Sequence, residues 1–91
     1  MAERLSETAI TEHLAQLKDW KRQGNVIRKQ YPFSGFIAAM AFVNLVAAEA
    51  EAMDHHPDIL IEFNRVTLTL STHSAGGLTE LDFQLARKVD A

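Results

Sequence analysis

From residue 66 to residue 71 the chain alternates without a break. Val66, Leu68 and Leu70 are apolar, and Thr67, Thr69 and Ser71 are polar. A period of two puts the apolar side chains on one face of an extended strand. Residues 66–72 are therefore expected to form a β-strand with one face on a core. Ile59–Phe63 reads as a strand before it, across a turn at Asn64-Arg65. A second hairpin is expected from Trp20 to Phe33. Gly24-Asn25 supplies its turn, where a positive φ costs little for either residue. Val26, Arg28 and Gln30 alternate there with Ile27, Lys29 and Tyr31, as in a sheet covered only in part. Pro32 cannot donate to a ladder and marks a strand end or an edge.

Three helical segments separate and flank these hairpins. Ser6 is a plausible N-cap for a first helix reaching about Leu17, with Ile10, Leu14 and Leu17 as its apolar stripe. His13 lies beside that stripe and is expected to be a solvated surface residue. Ser34 is expected to cap a long helix from Phe36 to Met53. Its main stripe is Phe36, Ile37, Met40, Val43, Val46, Ala47 and Ala50. Alanines 38, 39, 41, 48 and 52 surround that stripe and leave a second face of small side chains. An apolar face this long is unusual on a monomer, so packing against another subunit is expected. Pro57 stops the helix and pushes His56 out of the α region. Ala75-Gly76-Gly77 reads as a flexible connection. Thr79 with Asp82 three residues on resembles a capping box opening a last helix, with Leu78, Leu81, Leu85 and Val89 as its stripe.

The expected order is α-β-β-α-β-β-α. The economical packing is an α+β fold: a four-stranded antiparallel sheet with three helices on one face. Ninety-one residues make a single domain, 1–91. The net charge is −3. That argues against general nucleic-acid or anionic-membrane binding, which needs a basic face. The chain has no cysteine, hence no disulfide, no thiolate nucleophile and no cysteine metal site. The early residues are polar and show no signal-peptide pattern. The helical part of the uncharged stretch 31–48 is too short to span a bilayer. A cytoplasmic protein is the expectation.

The candidate chemistry is concentrated between Glu51 and Asp82, which hold three of the four histidines. Imidazole changes charge near neutral pH and suits proton transfer. Glu51 and His55 are four apart and share a helix face. His55 and His56 end that helix, where its last carbonyls favour a protonated ring. His73 follows the last strand, and Asp82 sits in the first turn of the last helix. Helix ends and strand ends of one layer can meet at a common cleft. Each residue also has a plainer reading. The histidine pair can cap the helix, Asp82 can complete a cap, His73 can be a loop residue, and Glu51 a solvated charge. Glu51, His55, His56 and His73 are permissible zinc ligands. The His-Glu-x-x-His pattern is absent, however, and adjacent histidines rarely both reach one ion, so metal ligation ranks below acid–base chemistry. No Gly-x-Ser-x-Gly elbow supports a serine nucleophile, and Gly76-Gly77 alone is too little for a phosphate loop.

The motif set Glu51-Ala-Met-Asp-His55-His56-Pro57, Phe63-Asn64, Thr69-Leu-Ser-Thr-His73 and Gly77-Leu-Thr-Glu-Leu-Asp82 resembles the pterin-4a-carbinolamine dehydratase family. A coarser likeness covers nearly the whole chain, including Leu5-Ser6, Trp20, the 33–36 segment and the long helix. The resemblance implies a hydro-lyase, 4a-hydroxytetrahydrobiopterin dehydratase, which converts 4a-hydroxytetrahydropterin to quinonoid dihydropterin and so recycles the tetrahydropterin. It implies His55, His56 and His73 as catalytic residues. Glu51, Pro57, Thr72, Ser74, Ala75 and Asp82 would be substrate-binding, with the Thr72–Ala75 backbone meeting the pterin's amide-like edge. It implies a pterin substrate, a homodimer or homotetramer, and no metal or organic cofactor; the charge balance, separately, gives the expectation of no nucleic-acid or membrane partner. Many members carry tryptophan two residues after the proline, where this chain has Ile59. Ring packing at the mouth of the site is the property that this departure touches. Two other readings fit the same fold. One is a non-catalytic dimerisation or interaction protein, and the other an enzyme for another pterin such as a molybdopterin-like compound.

Overall fold

The computed structural model describes residues 3–91. Its elements are α1 (Glu7–Ala15), β1 (Lys21–Gln23), β2 (Val26–Pro32), α2 (Phe36–Met53), β3 (Asp58–Glu62), β4 (Arg65–Leu70), a single 3₁₀ turn (His73–Ala75) and α3 (Glu80–Asp90). The α-β-β-α-β-β-α order agrees with the expectation from sequence. The four strands form one antiparallel sheet in the order β1-β2-β4-β3. The strand with the cleanest alternation, β4, pairs on both sides and is the most buried.

The register sorts side chains between two faces. Ile27 pairs with Leu70, Lys29 with Leu68 and Tyr31 with Val66, while Ile59 lies beside Leu68 and Ile61 beside Val66. Alternation sends these to the face covered by helices. Ile27, Val66, Leu68 and Leu70 join Ile10 of α1, Ala39, Val46 and Ala50 of α2, and Phe83, Leu85 and Ala86 of α3 in one core. Each large side chain fully buried there contributes roughly 1.5–3 kcal/mol. Arg28, Gln30, Thr67, Thr69 and Asp58 fall on the open face. Gly24 turns the first hairpin at φ 60°. Phe63, not Arg65, turns the second, at φ 52° and largely exposed.

Three local expectations are corrected. Helix α1 stops at Ala15, with Gln16 as its C-cap, because Gln16 and Leu17 leave the helix through bonds to His13 and Leu14. Ser34 does not cap α2. The N-cap is Gly35, in extended backbone and with no side-chain cap, and its carbonyl accepts from Ala39 N. The buried stripe of α2 is Ala39, Val46 and Ala50, with Val43 and Met53 packed against it. Phe36 and Ile37 point outward instead, Ile37 being 81% exposed. The cause is the alanine content: where side chains on both faces are small or apolar, periodicity does not say which face turns inward.

By length and composition alone, α2 is long and apolar enough to cross a membrane, which corrects the expectation that it is too short. Its place in this fold is different, since Ala39, Val46 and Ala50 are part of the shared core. The helix ends in a Schellman arrangement. Asp54 is left-handed at φ 50°, Asp54 N donates to Glu51 O, and His55 N donates to Ala50 O.

Candidate active site

That helix end determines where the histidines go. The two residues after Asp54 lie outside α2, so His55 and His56 are not on its last turn. The His55 backbone N–H closes the helix, which frees its ring to reach elsewhere. The ring reaches α3: His55 Nε2 stands 2.6 Å from Asp82 Oδ1. His55 is buried at 8% exposure and Asp82 at 0%. Glu51 was expected to share a face with His55. It pairs instead with His56, whose Nε2 lies 2.5 Å from Glu51 Oε1 on the exposed surface.

Asp82 is held from three sides. Its Oδ2 accepts from Thr79 N at 2.9 Å and from Thr72 Oγ1 at 2.9 Å. The first bond is half of the capping box expected from Thr79-x-x-Asp82. The second ties α3 to the end of the sheet. Thr72 and Thr79 hydroxyls are 2.7 Å apart. Each hydroxyl has one proton, so the order of donation follows. Thr72 gives its proton to Asp82, Thr79 gives its own to Thr72, and Thr79 Oγ1 accepts from Leu81 N at 3.3 Å.

The same accounting assigns the His55 tautomer. With Oδ2 taken by two donors, a single proton lies between Oδ1 and Nε2. An ionised carboxylate only accepts, so Nε2 carries the proton of that bond. Nδ1 is then the nitrogen left to exchange a proton with a substrate.

Thr72 also makes a two-way bridge with Gly77. Thr72 N donates to Gly77 O at 3.0 Å and Gly77 N to Thr72 O at 3.3 Å. The bridge closes a tight loop over residues 73–76, with Gly76 left-handed at φ 73°. This orders the connection that composition alone marked as flexible. His73 and Ser74 are exposed at its tip and Ala75 is half-buried. Opening a helical turn, the His73 and Ser74 N–H groups have no backbone partner among the described residues. Pro57 is half-buried beside His56. The structure thus unites His55, Thr72 and Asp82 in one hydrogen-bonded network. His73, Ser74 and Ala75 follow directly in the chain, and His56 with Glu51 forms a separate exposed pair. Sequence reasoning treated Thr79 only as a cap, although its hydroxyl belongs to the network. Among the described residues, no three histidine or acidic side chains converge as metal ligands do.

A family model described as pterin 4 alpha carbinolamine dehydratase matches residues 3–91. The chain belongs to the pterin-4a-carbinolamine dehydratase family. A member from Roseiflexus sp. (strain RS-1), which bears the dehydratase name, is 54% identical over 90 residues, covering 99% of this chain and 97% of the relative. One from Chloroflexus aggregans, with the same name, is 56% identical over 88 residues, covering 96% and 94%. A solved structure from Brucella melitensis, described as a transcriptional coactivator/pterin dehydratase, superposes with a TM-score of 0.93 at 39% identity, covering 97% and 96%. A pterin dehydratase-like protein, described as a RuBisCO assembly factor in the alpha-carboxysome, gives 0.68 at 28% identity, covering 80% and 87%. The dehydratase family fold accounts for the shared architecture. Within it, Ile59 is half-buried against the core beside Leu68.

Proposed function

We propose that this protein dehydrates 4a-hydroxytetrahydropterin to quinonoid dihydropterin by histidine acid–base catalysis, returning a tetrahydropterin cofactor to its cycle. The observation that carries the proposal is the buried His55–Asp82 pair, with one imidazole nitrogen fixed and the other left for substrate. In the reaction the C4a–O bond breaks and the N5–H proton leaves. A protonated imidazole delivers a proton to the departing hydroxyl, which leaves as water. The N5 electron pair forms the new C=N bond, and a neutral imidazole takes the N5 proton. One ring gives a proton and the other receives one, so the enzyme's proton count is unchanged. General acid and base each contribute typically about 10²–10⁴-fold. His55 and His73 carry these transfers. His56, held by Glu51, positions the ring and assists. Asp82 holds the His55 tautomer, and the His73 and Ser74 N–H groups meet the pterin's amide-like edge. Pro57 and Ala75 border the ring.

A carbinolamine generated in situ and followed by ultraviolet absorbance tests this. Acceleration over buffer is expected, with heavy loss in His55→Ala and in His73→Ala. Near-normal rates in both variants would defeat the assignment. A panel of pterins, including a molybdopterin-like compound, resolves substrate preference and the effect of Ile59.

The same reading includes self-association. Ile37 is 81% exposed and Leu45 62%, on an outer face of α2 that also carries Phe36, Asn44, Glu51 and several small alanines. A second copy would cover that face. Light scattering should give at least twice the chain mass of 10.2 kDa. A 10 kDa particle at working concentration would contradict it.

A further inference from the structure

The fourth histidine is not the solvated residue expected from its position. The His13 ring stacks on Phe83 with centroids 4.8 Å apart and planes 17° from parallel. Its Nε2 lies 2.9 Å from Glu80 Oε2. Its Nδ1 is buried without a hydrogen-bond partner among the described residues. Phe83 is the residue after Asp82, and Glu80 opens α3. His13 therefore grips the first turn of α3 on both sides of Asp82. Arg87 holds the other oxygen of Glu80 at 3.4 Å.

The chain just before α1 grips the segment leading into that turn. Leu5 N donates to Leu78 O at 2.9 Å. The Arg4 side chain lies across Gly77, close enough that a Cβ there would meet its Nε at 3.1 Å. Gly77 is bridged to Thr72, which itself donates to Asp82. One N-terminal segment thus clasps the stretch from Gly77 to Phe83, which holds the site's carboxylate.

A plain packing role does not explain the choice of side chain. An apolar ring could stack on Phe83 without burying an unpartnered nitrogen. Imidazole adds a directed bond to Glu80, which fixes the rotation of the stack and with it the turn that carries Asp82. Catalytic geometry is sensitive to such placement: a shift of about 1 Å can cost about 10²-fold in rate.

We infer that His13 is a positioning residue for the reaction, acting through the first turn of α3 to hold Asp82 against His55. It touches neither substrate nor the reacting atoms. The inference rests on the acid–base reading of His55 above, but one arm of its test does not depend on turnover.

That arm labels histidine with ¹⁵N and reads the His55 ring nitrogens in the intact protein. His13→Ala should move the His55 Nε2 shift as its bond to Asp82 loosens, and His13→Phe, which keeps the stack, should move it less. The kinetic arm measures kcat and KM well below the melting temperature, with folding checked by circular dichroism. His13→Ala should lower kcat about tenfold and leave KM within about twofold, as expected for misplaced catalytic geometry. His13→Phe should recover most of that loss. In a His55→Ala background, where there is no imidazole to hold, His13→Ala should cost little more. Unchanged His55 shifts in His13→Ala would overturn the inference, as would a full further loss in the His55→Ala background. Near-normal turnover in His55→Ala would instead overturn the catalytic reading, and the ring shifts would still decide the role of His13.

Discussion

Thr72 and His55 divide the Asp82 carboxylate between them. Thr72 donates to Oδ2 at 2.9 Å, and His55 Nε2 stands 2.6 Å from Oδ1. One side chain thus joins the end of the sheet, the start of α3 and the residue just beyond α2. The oxygen facing Thr72 also serves as the cap of α3, so the carboxylate stabilises the fold and orients the imidazole.

Replacing that carboxylate separates the two roles. Asp82→Ala strands a buried imidazole N–H, a threonine hydroxyl and a backbone N–H. It should destabilise by about 3–5 kcal/mol, the usual cost of removing one member of a buried pair. Asp82→Asn keeps an acceptor for α3 but offers His55 a donor, favouring the wrong tautomer. Its stability loss should be smaller, about 1–2 kcal/mol, while kcat falls by about 10²–10⁴-fold. Urea unfolding and steady-state kinetics on both variants check this.

Thr72→Val keeps the shape of the side chain and removes its hydroxyl. Asp82 loses a donor and the Thr79 hydroxyl loses its acceptor. A cost of about 1–3 kcal/mol in chemical denaturation is expected. Turnover should fall as well, since Oδ2 is then held by Thr79 N alone.

Asp90 forms a second hub at the far end of α3. It accepts from Trp20 Nε1 at 2.8 Å, from Lys29 Nζ at 3.1 Å and from the Tyr31 hydroxyl at 2.5 Å. Asp90→Ala should cost about 1–3 kcal/mol and redden the emission of Trp20, the single tryptophan. The proposed site at His55 and Asp82 lies at the other end of α3, so kcat below the melting transition should stay close to that of the parent.

Burial, followed by the bond to Asp90, pushes the Tyr31 hydroxyl well above the ordinary tyrosine range. The unfolded chain gives up this proton near pH 10, whereas the folded protein keeps it. Above that pH the unfolded state therefore binds fewer protons, and stability falls as pH rises. Below it the contribution is fully present. Tyr31 is the only tyrosine, so an ultraviolet titration reports it alone. Ionisation should coincide with alkaline unfolding. Tyr31→Phe should flatten the decline in stability above about pH 10.

Much of this was legible in the chain. The alternation at 66–70 identified the central strand, because a half-buried strand must repeat with period two. Thr79-x-x-Asp82 revealed the α3 cap, because a capping box is local. The His55–Asp82 pair spans 27 residues, and no local rule reports a contact of that separation. Glu51 and His55 illustrate the hazard of assuming a helix continues. One left-handed residue, Asp54, carried the chain out of the helix and gave His56 to Glu51 instead. His13 is beyond such rules too, because nothing in α1 alone shows that Phe83 will meet it.

The left-handed Asp54 places two demands on one position. Glycine would adopt φ 50° with less strain. Glycine would also add freedom to the unfolded chain and slack to the joint just before His55. Selection for tolerance to heat and selection for turnover would then favour different residues at position 54. A library varied only there would show whether the protein accepts strain at this hinge in order to keep it stiff.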